Sequence, residues 1–212
     1  MAQDGRGPLP DGWAGLGAIA ALRRLNARCI GMLADIARTE RSLERSMIYR
    51  ASHLWSQMDQ RACERAGSCP VLLLNLNFER LNYWEKVCAG QGDISTSDAR
   101  LALFTESQGA PLLREILIEV WRLGGSLPGA ANLAFGMAPG LSIEISKLSV
   151  LAIDLKASIL YQGLRPRWEQ NAVFWRQLLE ASVGNDDEAL SNVDLHCLQL
   201  LGSELKASSR LS

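Results

Sequence analysis

Histidine is almost missing from this chain. His53 and His196 are the only two in 212 residues, and each stands alone on a stretch that reads as helix. Neither has a second imidazole or a carboxylate at the spacing of a helical metal motif, so the pattern gives no metal site. The five cysteines, Cys29, Cys63, Cys69, Cys88 and Cys197, are odd in number and irregularly spaced. That is neither a zinc knuckle nor the dense, even framework of a small secreted scaffold, and it points to a reducing compartment. Charge of one sign is lacking as well. The formal net charge is −1, which removes a whole-chain argument for binding nucleic acid or an anionic membrane. Gly124-Gly125 has no lysine after it and no strand before it, so no phosphate-cradling loop is present and no cofactor is implied. The N-terminus, MAQDGRGPLPDGW, lacks the basic-then-apolar order of a signal peptide.

One uncharged run is long enough to span a bilayer, from Leu123 to Ile143. It is broken by Gly124, Gly125, Pro128, Gly129, Gly136, Pro139 and Gly140, which would leave backbone groups unsatisfied in lipid. A buried loop with a short helix fits it better. The sequence therefore reads as a soluble, cytoplasmic protein, with no membrane insertion and at most a peripheral association through partners.

Core-forming material is ample. Hydrophobic residues make up 48% and charged residues 21%, enough for one medium domain. Only Lys86, Lys147, Lys156 and Lys206 are lysine among 22 basic residues, a bias better assigned to GC-rich coding than to an arginine site.

Apolar spacing gives a mostly α fold, an irregular multi-helix domain with an N-terminal helical arm. Residues 1–13 read as a flexible lead-in, 14–65 as a charged helical arm and 66–208 as the helical core. Within the arm, a short helix over 14–33 precedes a long one from Asp35 to about Ala66. On the long helix Ile36, Leu43, Met47, Leu54 and Met58 share one narrow arc, a stripe suited to its own domain or to a partner. Between Arg23 and Arg65 nine basic residues face five acidic ones, interspersed as on a solvated face rather than a phosphate patch.

Pro70 interrupts the pattern. Val71–Leu76 reads as a short strand or the start of a buried helix, with the extended reading favoured, and a helix follows over 77–88. Ser95 or Ser97 caps a helix over 98–107 that ends near Gly109, and Pro111 opens the next in a first-turn position. Leu112, Leu113, Ile116, Leu117 and Val120 then face one way, and Gly124-Gly125 stops that helix. Leu141–Tyr161 is apolar on both faces and reads as a central helix. Pro166 opens a helix over 166–182. Asn185 caps the last one, whose buried stripe is Leu190, Val193, Cys197, Leu198, Leu201 and Leu205.

Catalytic patterns are formal only. Ser203-Glu204-Leu205-Lys206 matches Ser-x-x-Lys but has no supporting motif, and a Cys nucleophile would need a partner brought from elsewhere in the chain. Tryptophans beside charged residues, at Trp84, Trp121, Trp168 and Trp175, are core fillers or interface anchors. Contact rather than catalysis is the expectation, with Arg80, Trp84, Met47 and Leu54 as partner-contact candidates.

Cys69-Pro70 followed by Leu72, Leu74, Leu76, Leu81 and Trp84 resembles the N-terminal segment of the type III secretion accessory family SctK. Arg100-Leu101-Ala102-Leu103 with Pro111–Ile116 resembles that family's central helical segment. The length and arginine-rich composition are also similar to a nodulation protein of rhizobial secretion clusters. The resemblance, over about residues 66–180, implies a non-enzymatic cytoplasmic adaptor that binds secretion-apparatus proteins of the cytoplasmic platform or ATPase complex. It also implies a role in cultivar-specific nodulation of a legume host, and it supplies no catalytic residues. The alternative is a transcriptional regulator whose basic N-terminal helices contact DNA.

Overall fold

The computed structural model describes residues 11–39, 51–91 and 102–208, with side chains of the first helix from Gly17 onward. It is mostly helical, as the apolar spacing implies. Helix α1 (Asp11–Thr39) is followed by two short helices, α2 (Ser52–Trp55) and α3 (Gln60–Ala66). Strand β1 (Leu74–Asn75) leads into α4 (Leu81–Cys88). Then come α5 (Glu106–Gly124), α6 (Pro128–Ala134), α7 (Leu141–Ser146), α8 (Val150–Leu160), β2 (Arg165–Pro166), α9 (Ala172–Val183) and α10 (Asp187–Ser208). Helix α5 is the axis of one half, packed against α1, α6, α7 and α8. Helices α2 and α3 bridge α1 to α9, and α10 lies along α9. Among the described residues, no helix is long and apolar enough to cross a membrane.

The backbone of residues 69–78 threads through the core, and side chains satisfy its polar groups. Val71, Leu72, Leu73 and Leu74 are all fully buried. A buried extended segment must find partners for each N–H and C=O. Here Asn26 of α1 supplies three: its Nδ2 donates to Cys69 O and Val71 O, and its Oδ1 accepts from Leu73 N at 2.9 Å. Leu72 N donates to Ala134 O, Arg167 N to Leu73 O, and Ala138 N to Phe78 O. β1 pairs antiparallel with β2, Leu74 opposite Pro166 and Asn75 opposite Arg165. The extended reading of 71–76 is thus correct, but only two residues form strand.

Residues 14–65 and 66–208 share one core. Leu22, Leu25, Cys29, Ile30, Leu33, Ile36, Leu54, Trp55 and Met58 join the cluster that contains Val71–Leu74, Leu112–Leu117 and Phe174–Leu179. The boundary expected at residue 65 does not separate two packing units. The helix expected from Asp35 to Ala66 is not continuous either. It is interrupted between Trp55 and Gln60, and α3 starts afresh because Asp59 caps it, its carboxylate accepting from Ala62 N at 2.7 Å.

Four further boundaries move for local reasons. The helix expected over 98–107 lies partly outside the described residues, with both Ser95 and Ser97. α5 begins at Glu106, where Thr105 N donates to Gln108 Oε1, and it runs through Gly109 and Pro111. Gly109 is no terminator; a Cβ there would come within 2.8 Å of the Tyr161 ring. The helix expected over 141–161 breaks at Lys147–Ser149, because the Ser149 hydroxyl accepts from Ala152 N and starts α8. Helix α9 starts at Ala172, capped by Asn171, since Arg165–Pro166 are used as strand. Asn185 takes a positive φ of 56°, and Asp186 caps α10 instead, accepting from Ala189 N.

Candidate functional site

Of the contact residues the sequence nominates, the three described ones, Arg80, Trp84 and Leu54, are not brought together at the surface. Trp84 is fully buried on α4, its Nε1 donating to Leu76 O at 3.1 Å and its ring stacked on Phe78. It is a core residue, because the 81–88 helix turns its large apolar face inward under the 69–78 segment. Leu54 is buried too. Arg80 is exposed and stands at the N-terminal boundary of α4, where its side chain makes no capping bond. Met47 lies outside the described residues. Of the other tryptophans that stood beside charges, Trp175 is core and Trp168 half-buried. Trp121 reaches solvent while its Nε1 donates to Leu148 O at 2.9 Å.

Helix α8 is the second part of the Leu141–Tyr161 stretch that reads as a central helix, and here the expectation fails in an informative way. Its inner side holds Ile153, Lys156, Ala157 and Leu160, all buried. Its outer side exposes Val150 (45%), Leu151 (78%) and Leu155 (62%). At 100° per residue these outer positions fall within one arc of about 140°, with Leu151 and Leu155 one turn apart. Apolar residues on both faces predict burial on both sides, but the fold covers only one.

Polar groups frame this ridge. Asp154, on the same arc, accepts from Arg114 Nε of α5 at 2.6 Å, which neutralises the charge closest to the leucines. Ile143 of α7 is also exposed, and Lys147 pairs with Glu144 at 2.6 Å just before the α7–α8 connection. Trp121 lies against that connection through its bond to Leu148. Lys156 holds α8 in place from the inner side by donating to Val87 O at the end of α4, where a cation meets the negative end of the helix dipole.

Among the described residues, reactive chemistry gathers nowhere comparable. Among the described residues no three of His, Cys, Asp and Glu are placed to hold a metal ion. Burial pushes the Cys29, Cys63 and Cys88 thiols up, with Lys156 partly opposing it at Cys88, and contact with Cys69 together with burial pushes Cys197 up. An activated thiolate needs the opposite direction. Ser203 Oγ donates to Gln199 O, a back-bond along its own helix. An open groove of about 600 Å³ runs between α9 and α10, with Val193, His196 and Glu180 in its lining. His53 is exposed on α2, and His196 packs edge-on against Phe174 at 5.8 Å.

The basic residues of the N-terminal helices are mostly spoken for. On α1 Arg24 pairs with Glu119 at 3.5 Å, Arg28 with Glu115 and Arg38 with Asp35, and on α3 Arg65 pairs with Asp187. Apart from the polar start at Ser149, nothing in the sequence separated the two faces of α8. The signal was the excess of apolar residues, and only the position of α5 decides which of them are covered. Set against known proteins, the chain matches no family model, no curated protein and no solved structure.

Proposed function

We propose that this chain is a non-enzymatic adaptor that works by protein contact, and that its contact surface is the outer face of α8. The carrying observation is the exposure of Val150, Leu151 and Leu155 together on one turn-and-a-half of helix, beside a neutralised Asp154–Arg114 pair. Exposed large aliphatics in a row are a mark of interaction surfaces, whereas scattered single ones are ordinary. The family resemblance narrows the class of partner to cytoplasmic components of a bacterial type III secretion apparatus, and the process to cultivar-specific nodulation. Of the residues that carry it, Leu72, Leu74, Leu76, Trp84, Leu112, Leu113 and Ile116 are core here, Leu81 and Leu103 are half-buried, and Arg100 and Leu101 lie outside the described residues. Those residues therefore speak for a shared helical architecture, and the α8 ridge is what would meet the partner.

Immobilised full-length chain, offered purified platform and ATPase-complex subunits one at a time, should retain at least one of them. Retention of none sinks the secretion reading. DNA contact as the alternative draws little support from α1, where Arg24 and Arg28 are engaged with α5.

A further inference from the structure

We propose that Cys69 and Cys197 form a reversible disulfide that bolts α10 to the buried segment following α3. The two Sγ atoms lie 3.0 Å apart, both residues are fully buried, and 128 positions of chain separate them. A disulfide bond is about 2.05 Å long, so the sulfurs need to close by only about 1 Å. The backbone of Cys69 is fixed, its C=O accepting from Asn26 Nδ2 at 3.2 Å and its N–H bonding Ala66 O. Closure therefore falls to side-chain rotation. Cys29, Cys63 and Cys88 are also free thiols and make no such sulfur contact.

The position gives the bond a consequence. Helix α10 is tied near its start by Arg65–Asp187 and near its end by Arg167–Glu204. Cys197 sits between those two ties. A covalent bond there fixes the middle of the helix to the segment that Asn26 clamps, and it converts non-covalent docking into a cross-link between distant parts of the chain.

Hydrogen peroxide is an oxidant small enough to reach the pair when α10 lifts. The two sulfurs are in contact and equally buried, so either can be oxidised first. One thiol of the pair is oxidised to a sulfenic acid while one peroxide is reduced, releasing one water. The other sulfur then displaces the sulfenic hydroxyl, which leaves with that thiol's proton as a second water. Two thiols and one peroxide give one disulfide and two waters. Reduction by a dithiol restores both thiols by exchange.

The test uses the native full-length chain. After brief exposure to dilute peroxide, the protein is unfolded, alkylated and mapped without reduction. The expected result is a loss of two hydrogens from the intact mass, a cross-linked peptide joining Cys69 to Cys197, and a rise in Tm that dithiothreitol reverses. Cys88→Ala should retain all three signs and Cys197→Ala should lose them. Alkylation of both Cys69 and Cys197 after peroxide, a cross-link joining any other pair, or linkage formed only in unfolded protein would each overturn the proposal.

Discussion

Arg167 Nη1 donates to Glu204 Oε2 across 2.9 Å, and no part of the arginine side chain reaches solvent. The same guanidinium donates through Nε to Leu72 O and through Nη2 to Phe135 O and Gly136 O. One cation thus joins the 69–78 segment, the end of α6 and the C-terminal helix. Glu204 Oε2 also accepts from Trp168 Nε1 at 3.1 Å, which fixes Trp168 in a backbone conformation with φ of 53°. A tryptophan rarely adopts that region without surrounding structure to hold it there. Gly136 has to be glycine beneath this hub, since its φ is positive and a Cβ would sit 2.5 Å from the guanidinium.

Removing the cation should be costly. Arg167→Met leaves several buried carbonyls without a donor, and breaking a buried pair from one side costs about 3–5 kcal/mol. Glu204→Gln keeps an acceptor for Trp168 and should cost about 1–3 kcal/mol. Chemical denaturation of the two variants checks the order, with Arg167→Met the less stable.

Trp84→Ala should behave as a core deletion. Its ring is buried against Phe78 and Tyr83, and its Nε1 satisfies Leu76 O. A Trp→Ala change in such a site costs about 3–5 kcal/mol. Circular dichroism and a thermal melt should show a clear fall in Tm. An unchanged melt with weakened partner binding would return Trp84 to the surface role its sequence context suggested.

Asp194 gives stability an unusual pH dependence. Its Oδ1 is buried without a hydrogen-bond partner, and desolvation raises the carboxyl above its ordinary 3.8, with Arg23 only partly opposing this. The folded state therefore holds this proton more tightly than the unfolded chain does. The stabilisation is fully present below the unfolded value and is lost as pH rises through the folded one. Asp194→Asn should match wild type in acid and exceed it near neutral pH, by about 0.5 kcal/mol once solvent screening is allowed for. Paired urea titrations at acid and neutral pH measure the difference.

The legible parts of the fold were those carried by local spacing. Leu112, Leu113, Ile116, Leu117 and Val120 share a face and are all buried, and Leu190, Val193, Cys197 and Leu201 do the same on α10, whereas Leu198, expected in that stripe, is exposed and Leu205 is only half-buried. The stops at Gly124-Gly125 and the break at Pro70 were equally plain. Less visible were features that depend on distant partners. Asn26 reads as an ordinary polar residue in a helix, and only the segment that passes beside it makes it a clamp. Arg167 reads as a surface cation next to a proline. Gly109 and Gly124 read as helix stops, yet both permit close packing: a Cβ at Gly124 would lie 2.1 Å from Ser142 O.

The candidate surface was half legible. Its apolar content pointed to α8, but apolar residues on both faces of Leu141–Tyr161 could not foresee that only Ile153, Lys156, Ala157 and Leu160 turn inward. The polar start at Ser149 was the available clue. It starts a new helix after the break at Lys147–Ser149.

The α8 ridge is tested most directly by the affinity of the full-length chain for a retained secretion subunit, compared between wild type and Leu151→Asp/Leu155→Asp. Both side chains are already exposed, so the double variant should keep wild-type circular dichroism and Tm while its affinity falls at least about tenfold, as for anchors of an interface. Equal affinity in wild type and the folded double variant would contradict α8 as the contact surface.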